Sequence, residues 1–87
     1  MLSKSQIKLI RSLELKKNRK REKLFVAEGP KVVGDLLRAG FQPHSVFSTT
    51  SLSLPVSADI QGITDEELHR ISFLQHPQEV LALFHLP

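Results

Sequence analysis

The chain has no cysteine, no tryptophan and no tyrosine. The first absence removes disulfide frameworks, thiolate zinc sites and cysteine nucleophiles, and suits a reducing, cytoplasmic setting. The other two leave five phenylalanines as the whole aromatic complement: Phe25, Phe41, Phe47, Phe73 and Phe84. Binders of single-stranded nucleic acid interleave stacking aromatics with cations. That pattern is missing, and Phe25, Phe47 and Phe84 fall in apolar runs that read as core strands. No apolar run approaches the ~20 residues that span a bilayer. The N-terminus is amphipathic and basic, unlike a signal sequence. Glycine is scarce, and Gly29 stands alone at a strand-to-helix turn. A phosphate loop needs more glycines and a following Lys-Ser/Thr.

Chemistry-bearing residues are equally thin. His44, His69, His76 and His85 include no i, i+4 pair of the kind that holds helical zinc. Asp65, Glu66 and Glu67 stand at a predicted helix start, where the helix dipole and capping explain them. The serines have no visible base partner for nucleophilic catalysis. Glu28, at the end of a predicted strand, reads as an ion-pair partner or a cap to the next helix rather than as a catalytic base.

What the chain does have is a segregated charge. Residues 1–23 hold nine Lys or Arg against two acids, a balance of +7, while residues 24–87 hold three against seven, a balance of −4. The densest part is Lys16, Lys17, Asn18, Arg19, Lys20, Arg21, Glu22 and Lys23. Such segregation points to a polyanionic partner. A solvated basic face that only aids solubility is the plainer reading. Mutual repulsion predicts a solvated loop or frayed helix end there, mobile in the free domain and ordered on a polyanion. An amphipathic basic helix can also lie on a membrane, but the apolar face here is aliphatic and lacks aromatic anchors. Without stacking residues, contact is expected through phosphates and shape, which suits folded RNA.

The 87 residues read as a single small domain. Ser3 to about Leu15 reads as a helix, with Ser3 and Gln6 as a capping box and Lys4, Lys8 and Arg11 on its outer face. Leu24–Ala27 reads as a buried strand, and Pro30–Ala39 as a helix with Val32, Val33, Leu36 and Leu37 as its apolar face and Gly40 as its C-terminal cap. Val46–Thr49 reads as a strand, residues 50–59 as a Ser-rich surface connection, and Ile60–Ile63 as a short edge strand. Thr64–Ile71 reads as a helix boxed by Thr64 and Glu67, and Val80–Phe84 as a final strand. Continuously apolar strands alternating with helices predict an α/β fold, a three-layer α/β/α sandwich around a small, mostly parallel sheet.

The run from Arg19 through Leu24-Phe25-Val26-Ala27-Glu28-Gly29 resembles the N-terminal signature of SpoU/TrmH-type RNA 2′-O-ribose methyltransferases. Lys31-Val32-Val33 and Pro77-Gln78-Glu79-Val80-Leu81-Ala82 resemble later stretches of that domain, in the same order. Lys23 and Glu79 depart from it, each standing where glycine is common. The resemblance implies an RNA substrate-binding domain with a fold similar to ribosomal proteins that bind kinked RNA. Such a domain presents RNA, chiefly ribosomal RNA, to a C-terminal knotted SPOUT domain that holds S-adenosylmethionine and dimerises. No residue of residues 1–87 matches the catalytic domain, so neither a cofactor site nor a catalytic residue is expected within them. The chain ends about where the linker would begin. A stand-alone RNA-binding protein of the kink-binding ribosomal type is the alternative, and a protein-interaction module that grips an acidic partner is a third. The residues expected to meet RNA are Lys16, Lys17, Asn18, Arg19, Lys20, Arg21 and Lys23, with Arg19 foremost because it matches the motif and a guanidinium forks onto phosphate.

Overall fold

In the computed structural model, residues 1–51 and 59–87 are described. The elements run α1 (Lys4–Ser12), α2 (Lys16–Glu22), β1 (Leu24–Glu28), α3 (Pro30–Arg38), β2 (Pro43–Ser48), β3 (Ile60–Gly62), α4 (Asp65–Ile71) and β4 (Val80–His85). Most of the expected Ser-rich connection lies outside the described residues.

Both expected capping boxes form. The Ser3 side chain accepts from the Gln6 amide while the Gln6 side chain accepts from the Ser3 amide, and Thr64 and Glu67 repeat the arrangement. Pro30 opens α3, where its missing N–H is not needed. Gly40 follows that helix at φ +90°, a conformation that glycine adopts without strain.

The strand order is β1-β4-β2-β3. Side chains alternate across the sheet with period two. One face carries Leu24, Phe47, Leu81 and Leu83 against Ile10, Leu13, Leu68 and Ile71 of the α1–α4 side. The other carries Ala27, Val46, Val80, Ala82 and Phe84 against Val33 and Leu37 of α3. The three layers are therefore as expected. Strand direction is not: β4 pairs antiparallel with both β1 and β2, and only β2 and β3 pair in parallel. The expectation of a mostly parallel sheet is corrected on this point. A helical crossover makes β1 and β2 run the same way, but β4 inserts between them in the opposite sense. Its unbroken apolar run reflects burial on both faces of a central strand, which is compatible with either direction.

Two local expectations also shift. Val32 is 49 % exposed and lies outside the core, while Gly34 takes a buried place on α3. Lys16–Glu22 is a separate helix, where a solvated loop or a frayed helix end was expected.

Candidate nucleic-acid interface

The basic segment is held as a helix by its neighbours. Lys, Arg and Glu are good helix formers, and Arg19, Lys20 and Arg21 stand in the last turn, where cations suit the helix dipole. Like charges at i, i+4 (Lys16 with Lys20, Lys17 with Arg21) oppose this by only about 0.2–0.5 kcal/mol a pair. Tethers outweigh them. The buried Asn18 donates from Nδ2 to the Ser12 carbonyl at 2.8 Å. Arg19 donates from Nη1 to the carbonyls of Leu13, at 2.8 Å, and Glu14, at 2.9 Å. Arg19 thereby satisfies carbonyls just past the end of α1, while Asn18 adds a second donor to the Ser12 carbonyl, which also accepts from the Leu15 amide. Lys23 closes α2 in the left-handed conformation, φ 58°, its N–H donating to the Arg19 carbonyl.

The seven expected contact residues therefore separate. Lys16, Lys17, Lys20, Arg21 and Lys23 are exposed. At helical spacing Lys16, Lys20, Lys17 and Arg21 share one arc of α2, opposite Asn18. Arg21 also pairs with Glu22 at 3.1 Å across an exposed contact. Arg21 and Lys8 of α1 line one groove between the two helices, so Lys8 joins the cationic surface. Asn18 is a packing residue. Arg19 is half-buried, with one guanidinium nitrogen given to the backbone. Arg11 is turned elsewhere: it donates to the Ser72 carbonyl at 3.1 Å and lies over the Phe73 ring at 5.1 Å.

Among the described residues, Glu28 is neither an ion-pair partner nor a cap to α3. Its carboxylate accepts from the Ser72 hydroxyl and, at 2.9 Å, from the Phe73 amide, tying the end of β1 to the segment after α4. Glu67 accepts from the Leu2 amide at 2.7 Å as well as from Thr64. The Leu2 amide first and the Thr64 amide second hold its carboxyl below the usual range. Asp65 and Glu66 stand with it in the first turn of α4. Sequence reasoning missed these long-range ties because each joins residues distant along the chain. Among the described residues, no group of three or more His, Asp or Glu is placed to hold a metal, and no helix is long and apolar enough to cross a membrane.

Both glycine departures have a structural meaning. Among the described residues, Lys23 and Glu79 are the non-glycine residues with positive φ, each at 58°.

A family model for the MRM3-like substrate binding domain matches residues 4–82. Among solved structures, a protein of the TrmH family from Porphyromonas gingivalis is 37 % identical, with a TM-score of 0.86, over 100 % of this chain and 36 % of that one. An rRNA methyltransferase from Sinorhizobium meliloti is 24 % identical over 100 % of this chain and 36 % of that one, with a TM-score of 0.77. The SpoU methyltransferase AviRb from Streptomyces viridochromogenes, solved with AdoMet, is 16 % identical over 98 % and 36 %, with a TM-score of 0.80. At these lower identities the likeness is one of fold. No curated protein matches the chain. The chain spans about 36 % of the length of these solved relatives. With its fold and its Glu28-Gly29 strand end in the expected order, the chain belongs to the family of MRM3-like substrate-binding domains and shares its fold with part of a TrmH-family protein.

Proposed function

We propose that the domain binds structured ribosomal RNA through the α1–α2 surface and, in a longer protein, presents it to an S-adenosylmethionine-dependent ribose 2′-O-methyltransferase domain. The observation that carries this reading is the exposed arc of Lys16, Lys17, Lys20 and Arg21 on a helix whose buried side is pinned to α1. A fixed row of cations matches fixed phosphates, with no ordering of the segment needed on binding.

In this reading the partner domain holds the cofactor, which supplies the methyl group, and forms the homodimer, in the cytoplasm. A stand-alone RNA-binding role would use the same α1–α2 surface.

The test is competition between polyanions. Structured rRNA fragments should displace a labelled rRNA probe from the chain at far lower concentration than polyglutamate of matched charge. Equal displacement would favour a module for acidic proteins.

A further inference from the structure

A second feature borders the cationic arc. Where the α1–α2 turn, β1 and the segment after α4 meet, a cavity of about 270 Å³ is lined by Leu13, Glu14, Arg19, Phe25, Val26 and Phe73. That is just below the ~300–1,000 Å³ of sites for drug-sized ligands, a size for one heterocycle. Its walls are fixed in advance. Phe73 is held by its amide hydrogen bond to Glu28 and carries the Arg11 guanidinium over its ring. Arg19 is fixed by two carbonyls.

Glu14 is the telling residue. It is exposed, and among the described residues its carboxylate has neither an ion-pair nor a hydrogen-bond partner. The only other acid in residues 1–23, Glu22, is paired with Arg21. The lining pairs this carboxylate with the Arg19 guanidinium, whose Nη1 is committed to two carbonyls, so it suits a ligand edge carrying donors better than a bare phosphate. A carboxylate does accept from the donors on a base edge. Guanine offers adjacent N1–H and N2–H donors on its Watson–Crick edge, matching two carboxylate oxygens, and unpaired RNA bases present that edge.

The geometry points to a subsite for one unstacked guanine, its face against Phe73 and its Watson–Crick edge donating to Glu14, while the flanking phosphates lie along α2. This inference rests on the RNA reading above. It supplies the base contact that the chain's few aromatics argue against when counted in sequence.

Fluorescence anisotropy would compare three RNA hairpins, identical except for a single-nucleotide bulge of guanine, uracil or an abasic site. The guanine bulge should bind at least about five-fold tighter than the abasic one, the lower end of what base–aromatic stacking provides. Phe73→Leu should remove the advantage of either base. Glu14→Gln should bring guanine to the level of uracil while a base still outbinds the abasic bulge. If Phe73→Leu fails to fold by circular dichroism, the exposed Glu14→Gln carries the test alone. Equal, strongly salt-dependent binding of all three hairpins would overturn the subsite and leave the RNA reading standing. Absence of binding to any hairpin would overturn both.

Discussion

Glu79→Gly should stabilise the domain. Glu79 precedes β4 at φ 58°, in the left-handed region that a Cβ disfavours. Holding an L-residue there costs about 1–2 kcal/mol. Glycine removes that strain but gives up about 0.5–1 kcal/mol in unfolded-chain entropy. The net gain lies between about 0 and 1.5 kcal/mol, centred on about 0.5–1 kcal/mol. Nothing else of value is lost, because what Glu79 contributes is backbone: its carbonyl accepts from the Thr49 amide at 3.0 Å and, more weakly, from the Thr49 hydroxyl. In a domain of this size each kcal/mol moves the melting temperature by about 4–8 °C, so a rise of about 2–8 °C is expected. Glu79→Ala is the control. It removes the charge but keeps the Cβ, and should leave the melt nearly unmoved. If alanine stabilises as much as glycine, charge is the cause and the conformational argument fails. If glycine lowers the melting temperature, the turn does not hold the conformation described.

Arg19→Ala should lose about 1.5–3 kcal/mol, the range for hydrogen bonds involving a charged group, while Arg21→Ala stays within the about 0–1 kcal/mol of an exposed pair; urea melts of the two variants would show it, and equal losses would refute it. Leu81→Ala, at a fully buried position on the central strand, should cost about 2–5 kcal/mol in the same assay, and a loss below about 0.5 kcal/mol would displace that strand from the core. Glu67 has a lowered folded-state pKa, so its contribution is complete above the ordinary glutamate range and is lost as pH falls through the lowered value. Glu67→Gln should therefore melt below the parent at neutral pH and converge on it in acid; melting curves that stay parallel across pH would refute this.

Much of the fold was legible because its signals are local. Ser3 with Gln6, Thr64 with Glu67, Pro30 and Gly40 each mark a helix end within a few residues of chain, and each stands where expected. The direction of β4 was not legible, since a strand buried on both faces has the same apolar run whichever way it points. The helix at Lys16–Glu22 was hidden for another reason. Charge density is visible in sequence, but the carbonyls of Ser12, Leu13 and Glu14 that capture Asn18 and Arg19 are backbone groups with no signature of their own. The cationic stretch was thus found, while its division into surface and packing residues was not. Phe73 shows the same limit: only the tertiary fold brings it beside Arg11, Glu28 and the α1–α2 turn.

The central claim is that the exposed arc of α2 meets RNA phosphates, and salt titration tests it most directly. RNA affinity would be measured at several salt concentrations for the parent and for the triple variant Lys16→Ala, Lys17→Ala, Lys20→Ala, with a thermal melt of each. These side chains are exposed and make no ion pair among the described residues, so the melt should hold. Affinity should fall across RNA sequences, and the slope of log affinity against log salt should flatten by about one unit for each phosphate contact removed. Unchanged affinity and an unchanged slope, with the melt intact, would contradict the account and leave this arc a solvated face.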